Sequence, residues 1–283
     1  MEVRSLNDIG IDEVFAAWED AFGDYEVKRS KAELEVMLVR RGYVPHLSFG
    51  AFDGARLVSF TLNGIGLWNG VKTAYDSGTG TIKAYRSKGL ATRIFTESAP
   101  VLKNEGVQQY LLEVLQHNKT AVQIYTRIGF RVSREFNYFI TSAQNVRLNE
   151  GELPRKFSLS EINLSHRAEM AVMWDFPPSW QNSFDAISRC PESFKVVGAF
   201  DGDRLAGYGI LEPATGDIPQ LAVSKLHRRQ GIGAGILQEL LRYNQASVIK
   251  VINTETGCAE LTKFLEGKGI QKTGMQFEMV KVI

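Results

Sequence analysis

The octapeptide GAFDGARL at 50–57 returns as GAFDGDRL at 198–205, an offset of 148 residues, with seven of eight positions identical. Each copy lies between apolar, strand-like runs: HLSF and VSFTL around the first, FKVV and AGYGI around the second. Asp-Gly between such runs is a strong hairpin signal, and a tight type I′ turn needs positive φ at its centre. Identity extends beyond the turn, to Phe52 and Phe200 and to Arg56 and Arg204, so duplication explains the match better than two independent hairpins. A chain repeating itself at this distance builds two similar units, which agrees with 283 residues and a usual domain size of roughly 100–200.

A second pair of segments confirms the repeat. RSKGLA at 86–91 begins 36 residues after Gly50, and RRQGIG at 228–233 begins 30 residues after Gly198. The first copy thus has 6 additional residues, expected around GIGLWNG at 64–70. Each copy closes on a helix-stop pattern, RIGF at 127–130 and KGI at 268–270. The expected domains are 1–142 and 155–283, joined by the polar stretch around 141–156.

Lysine and arginine number 33 against 32 aspartates and glutamates, a net charge of +1 that argues against a dedicated nucleic-acid binder. The start MEVRSLNDIG has no basic segment followed by an apolar run, and no apolar stretch nears the ~18 residues of a membrane span. A cytoplasmic protein with no membrane partner is expected. Cys190 and Cys258 sit in no CxxC, and His46, His117, His166 and His227 are scattered, so neither a disulfide framework nor a metal site is expected.

In each half a β-type run leads into Arg-x-x-Gly-x-Gly/Ala and then an amphipathic helix. After the first loop Leu90, Ala91, Ile94 and Phe95 share one helical face; after the second Ile236, Leu237, Leu240 and Leu241 do. Pro100 predicts a kink or early break in the first helix. A glycine-containing strand-to-helix turn lets backbone amides approach an anion, and the helix N-terminus adds positive potential. A pyrophosphate is the natural ligand. No P-loop motif occurs, and no βαβ series accompanies GIGAG at 231–235 to support a dinucleotide site.

This loop resembles the acetyl-CoA motif of the GNAT superfamily of N-acetyltransferases, in two tandem copies covering nearly the whole chain. The resemblance implies an α/β (α+β) chain of two GNAT-like domains, each a mixed, mostly antiparallel sheet flanked by helices and splayed between its central strands. It implies that the amides of Arg86, Ser87, Lys88, Gly89, Leu90 and Ala91, and of Arg228, Arg229, Gln230, Gly231, Ile232 and Gly233, hold the CoA pyrophosphate. Thr81, Ile82 and Lys83 would line the pantetheine arm, with amides near Ile82 and Lys83 polarising the thioester carbonyl.

Residues 108–130, QQYLLEVLQHNKTAVQIYTRIGF, read as strand, turn, short helix and stop, with Asn118 as N-cap and Gly129 at C′. The stretch is similar to GNAT enzymes that acetylate protein N-termini, notably the ribosomal-protein alanine acetyltransferases. The resemblance makes Glu113 the general base, Tyr125 the general acid and Asn118 a CoA contact. Chemistry needs such groups: an ammonium must lose a proton before attacking a thioester, and a thiolate leaves better when protonated. Counting back from the second stop glycine, Gly269, puts Asn253, Cys258 and Leu265 where the first copy has Glu113, Asn118 and Tyr125; Glu255 could replace the base if the alignment slips by two. The first copy is therefore expected to be catalytic and the second degenerate or supportive; the opposite assignment is the alternative, since the resemblance extends to tandem GNAT enzymes that work from the C-terminal copy.

Asp20, Asp24, Glu26 and Asp76 are candidates to attract a cationic amine, Trp18, Phe22 and Trp68 to stack on it, and WDFPPSWQNSF at 174–184 is a pocket wall or a packing segment. The expected reaction is acetyl transfer from acetyl-CoA to a primary amine of a small molecule or peptide N-terminus. The alternative is a non-catalytic acyl-CoA-binding or interaction protein. Oligomeric state is not legible.

Overall fold

The computed structural model describes residues 1–23, 29–147, 153–154 and 156–283. It contains two compact units, Met1–Arg134 with Phe277–Ile283, and Glu135–Gln276. The expected boundaries at 142 and 155 therefore shift. Residues 135–142 belong to the second unit, and the last seven residues of the chain belong to the first.

In the first unit the elements run β1 (Glu2–Ser5), α1 (Ile11–Phe22), α2 (Lys31–Arg41), β2 (Phe49–Asp53), β3 (Arg56–Trp68), β4 (Val71–Thr81), α3 (Leu90–Asn104), β5 (Gln109–Leu115), α4 (Lys119–Arg127) and the start of β6 (Arg131–Ser142). Strands β1 to β4 are antiparallel neighbours and β4 pairs with β5 in parallel. The second unit repeats this plan with β7 (Phe157–Glu161), α5 (Arg167–Ala171), α6 (Phe184–Ser188), β8 (Lys195–Asp201), β9 (Arg204–Glu212), β10 (Asp217–Val223), α7 (Ile232–Tyr243), β11 (Val248–Glu255), α8 (Ala259–Gly267) and the start of β12 (Lys272–Val282), whose remainder from Phe277 belongs to the first unit. Here β7 to β10 are antiparallel, β10 pairs with β11 in parallel, and residues 136–142 of β6 pair antiparallel with β11.

The repeated octapeptide is the β2–β3 hairpin and its copy β8–β9. The two-residue loops are Gly54–Ala55 and Gly202–Asp203, closed by the pairs Asp53–Arg56 and Asp201–Arg204. Only the first central residue has positive φ, +60° at Gly54 and +58° at Gly202. That is the type II′ signature rather than the expected I′. The additional residues of the first copy lengthen the β3–β4 hairpin: β3 has 13 residues where β9 has 9, and the turn is made by Asn69 and Gly70, both at positive φ. Pro100 does not end its helix; α3 continues to Asn104 because Ile94, Phe95, Ser98 and Leu102 lock one face into the interior.

Each sheet carries apolar packing on both faces. In the first unit Ala74, Tyr110, Leu112 and Val114 meet Ile94, Phe95 and Leu102 of α3, with Tyr125 of α4 against them. On the opposite face Phe60 and Leu62 meet Val14, Ala17 and Ala21 of α1 and Leu34 and Leu38 of α2. A Cβ at Gly78 on β4 would lie 2.5 Å from the Trp18 ring, so glycine is what lets α1 seat there.

The first unit also buries an ion pair near its C-terminal segment. Arg134 donates from Nε to Glu278 Oε1 at 2.9 Å and from Nη2 to Oε2 at 2.6 Å, and Ser133 Oγ donates to Oε1 at 2.8 Å. The side chains are 17% and 3% exposed, with Trp68 under the guanidinium at 5.6 Å. Removing one partner of a buried pair strands the other charge. Glu278→Ala is therefore expected to lower unfolding stability by about 3–5 kcal/mol, read as a drop in the urea midpoint.

Candidate active site

The site is built where two parallel strands part. The β4–β5 ladder holds at Thr73–Gln109, Ala74–Tyr110 and Tyr75–Leu111, yet β4 continues to Thr81 and β5 to Leu115. Just past that point β4 carries a register shift against β3, between the pairs Leu62–Gly78 and Asn63–Asp76. The strands diverge, leaving a gap edged by backbone groups that no longer pair with each other.

Side chains alternate across a strand, and residues in register on parallel strands share a face. Glu113, two beyond Leu111, therefore lies on the face of Tyr75, and the Tyr75 hydroxyl donates to Glu113 Oε2 at 2.7 Å. Asp76 lies on the other face, with α3 and α4, and the Tyr125 hydroxyl donates to Asp76 Oδ2 at 3.3 Å. Tyr125 is held edge-on against Phe95 and Phe130. Glu113 and Tyr125 thus flank the gap from opposite faces.

Asp76 also accepts from the Gly78 N–H at 2.9 Å and the Thr79 hydroxyl at 2.8 Å. Burial pushes its carboxyl up to about 6, against these hydrogen bonds and the nearby Arg41 guanidinium. Arg41 donates to the Ser77 carbonyl at 2.7 Å and stands 5.9 Å from the Tyr75 ring. Burial and the Glu113 charge hold the Tyr75 phenol well above its ordinary range, so it remains a donor. Asp76 stood out in the sequence only as an acid near the acceptor side. Tyr75 and Arg41 were missed, although a Tyr-Asp pair before a Gly-rich bulge, YDSGTG at 75–80, was a usable signal.

The loop at 86–91 has two residues in the left-handed region, Ser87 at φ +62° and Gly89 at +71°, and Gly89 opens α3 without a side-chain cap. The second loop repeats this: Arg229 at +63°, Gly231 at +82°, and α7 likewise without a side-chain cap. Alternating left-handed residues before an uncapped first turn converge amides on one point, a cradle for an anion. Ser87, Lys88 and Gly89 are exposed there. The lead arginines tie the loops down. Arg86 Nε donates to Thr81 O at 3.3 Å and Nη2 to Ala21 O at 2.8 Å; Arg228 Nε donates to Val223 O at 3.1 Å and Nη2 to both Asp175 oxygens at 2.9 Å.

Other expected residues settle differently. The Ile82 N–H donates to Val58 O at 3.0 Å and its side chain is buried, so that amide does not suit the polarising role. Lys83 starts a short 3₁₀ turn, and the Thr81 hydroxyl bonds Ser59 Oγ at 2.7 Å. Asn118 Oδ1 caps α4, accepting from the Ala121 N–H at 3.2 Å. Trp18 and Phe22 stack with Phe60 as packing, and Asp20 pairs with Arg56 at 2.9 Å. Asp24 and Glu26 lie outside the described residues.

In the second unit the parallel strands pair only at Asp217–Lys250 before parting, and a cavity of about 790 Å³ opens there. Its lining includes Arg228, Arg229, Gly231, Ile232 and Gly233 of the loop, with Trp174, Asp175, Phe176 and Pro178, so the Pro-Pro segment is a pocket wall. Trp174 Nε1 donates to the Tyr208 hydroxyl at 2.7 Å, which donates to Gln220 Oε1 at 2.5 Å; Gln220 Nε2 donates to Asn182 O at 2.6 Å. Asn253, at φ +60°, donates from Nδ2 to Ser179 Oγ at 2.7 Å. Leu265 is buried in the core, Cys258 opens α8, and Glu255 ends β11 opposite Phe136. These polar groups are neutral; the acids lining the cavity are Asp175 and Glu260.

Two regions, 11–130 and 159–258, match the model of the acetyltransferase (GNAT) family, and the chain belongs to that family. Over 105 residues it is 30% identical to "N-alpha-acetyltransferase 30" of Schizosaccharomyces pombe and 29% identical to "N-alpha-acetyltransferase MAK3" of Arabidopsis thaliana. These matches take in 36% and 37% of this chain, and 70% and 55% of those relatives. The fold is shared over nearly the full length with a tandem GNAT protein from the clavulanic acid biosynthesis pathway (TM-score 0.74, 14% identity, 99% of this chain and 98% of that one). A putative acetyltransferase from Pyrococcus horikoshii is also similar (TM-score 0.69, 16% identity, 100% of this chain and 89% of that one).

The raised carboxyl of Asp76 has a consequence for stability. A carboxyl at about 6 in the folded state and 3.8 as its ordinary value binds more protons folded than unfolded between those pH values, so stability falls as pH rises through that window. Asp76→Asn removes this dependence. The stability of the variant relative to wild type should rise by about 2 kcal/mol from pH 4 to pH 6 and level off above about pH 7, as read from urea midpoints across pH.

Proposed function

We propose that the N-terminal unit transfers an acetyl group from acetyl-CoA to a primary amine, with Glu113 as general base and Tyr125 as general acid. The observation that carries this reading is their position on opposite faces of the β4–β5 gap. The chain's cradle fits the pyrophosphate: Ser87 and Gly89 set the loop, and the uncapped first turn of α3 adds amides and positive potential. That loop leads onto the face of Tyr125, while the acceptor amine approaches on the face of Glu113. The two substrates then meet through the gap.

Bound acetyl-CoA would supply an acyl thioester at the gap. Glu113 accepts a proton from the acceptor ammonium, directly or through water, freeing the nitrogen lone pair to form the C–N bond. The Tyr125 hydroxyl gives its proton to the sulfur as the C–S bond breaks, and the second proton of the attacking nitrogen restores it through solvent. The names of the curated relatives support a peptide N-terminus as acceptor class; a small-molecule amine is the other. Free Cys190 and Cys258 suit a reducing, cytoplasmic setting.

For the C-terminal unit we propose a CoA-type site that binds without transferring. Its cavity and loop support binding, while Asn253 and Leu265 replace the base and acid. Arg228, Arg229, Gln230, Gly231, Ile232 and Gly233 hold the anion there as Arg86 to Ala91 do in the first unit.

Thiol release from acetyl-CoA, measured across peptide amino-termini and small amines, tests the transfer. Glu113→Gln and Tyr125→Phe should each lower kcat about 100-fold or more with acetyl-CoA affinity retained by calorimetry. Near-normal rates in both would overturn the assignment, and tight binding with no turnover on any acceptor would favour the acyl-CoA-binding alternative. The same calorimetry should give two CoA per chain. Gly89→Val and Gly231→Val place a β-branched residue at positive φ; each should remove one binding event, and only Gly89→Val should abolish turnover.

A further inference from the structure

We propose that Tyr75 and Asp76, consecutive on β4, are positioning residues that set the two proton-transfer groups from opposite faces of one strand: Tyr75 orients Glu113 and Asp76 orients Tyr125. This inference rests on the reading of Glu113 as base and Tyr125 as acid. The two contacts follow from strand alternation at the last rung of the parallel ladder. Tyr75 is 1% exposed and its hydroxyl lies 2.7 Å from Glu113 Oε2; Asp76 is 9% exposed and takes the Tyr125 hydroxyl at 3.3 Å. Asp76 is itself fixed by Gly78 and Thr79, so neither partner is a mobile surface group.

Each contact biases one proton. Donation from Tyr75 favours the ionised form of Glu113 and keeps the base ready at lower pH. The Asp76 carboxylate beside Tyr125 disfavours a phenolate and keeps the acid protonated at higher pH. Among the described residues, the charged and titratable groups facing this pair are Arg41 from α2, Tyr110 and Glu113 from β5 and Tyr125 from α4; α3 presents the apolar Phe95. Arg41 remains in every variant below, so its influence is common to all of them. Together the two β4 residues widen the pH range in which base and acid are both in their working forms.

The test is the pH profile of kcat at saturating acetyl-CoA and a peptide with a free amino terminus. Tyr75→Phe should move the acidic limb up by about one pH unit, and Asp76→Asn should move the basic limb down by about one pH unit. Each variant should leave the other limb in place and change KM for acetyl-CoA less than twofold. A drop in kcat with both limbs unmoved means that these residues only pack, and overturns the proposal. Thr79→Val stands in if Asp76→Asn does not fold: it leaves Asp76 Oδ2 to Tyr125 and should move the basic limb upward, whereas an unmoved limb counts against the proposal. Glu113→Gln and Tyr125→Phe measured alongside separate the two levels. Near-normal rates there defeat the assignment of base and acid; lost rates there, with unmoved limbs in the β4 variants, defeat only the positioning role.

Discussion

The separation of two parallel strands inside a sheet is the constraint on which the rest of this structure depends. A continuous ladder satisfies its backbone groups internally; where β4 leaves β5, and β10 leaves β11, that pairing ends in the middle of a packed layer. Buried N–H and C=O groups require partners, so the opening is where the fold has room for a polar ligand. The neighbouring features serve this opening. Register shifts bend β4 and β10, the following turn places two left-handed residues before a helix, and an arginine ties that turn back to the end of its strand.

Duplication preserved this scaffold and let the chemistry diverge. In the first unit the gap is flanked by Glu113 and Tyr125, and a buried Asp76 sits between Arg41 and the tyrosine. In the second the comparable region is a chain of neutral donors and acceptors running from Trp174 through Tyr208 and Gln220 to Asn182. Neutral amides satisfy a buried cavity wall without the desolvation cost of an ion. The same backbone therefore frames a gap flanked by Glu113 and Tyr125 in one copy and a cavity walled in part by neutral polar groups in the other.

Much of this was legible in the chain. The hairpins, both anion-cradling turns, the capped helix at Asn118 and its stop at Gly129 all have local signals, because turns and caps need particular φ values or side-chain acceptors over a few residues. The turn type was less legible: Asp-Gly suggested a I′ centre, but the strand register puts glycine first in the loop. Pro100 does not bring the early break its local cost suggested, because burial of Ile94, Phe95 and Leu102 outweighs that cost. Trp18 looked like an acceptor-stacking residue and is packing against Phe60 and Gly78, since a helix face cannot be told from a pocket wall by sequence spacing alone.

The sequence by itself determined that the chain is a repeat, that each repeat has a hairpin, a glycine-containing strand-to-helix turn and a stopped helix, and that only the first copy keeps the Glu and Tyr. These are properties of short segments, governed by dihedral preference and side-chain chemistry. Tertiary structure decided which faces those residues occupy, because the face depends on strand register. It also decided that Tyr75 reaches Glu113 and Asp76 reaches Tyr125, that the Ile82 amide is already bonded, and that the final strand completes the first unit. Each depends on groups distant in the chain and brought together by packing, where no local spacing rule applies.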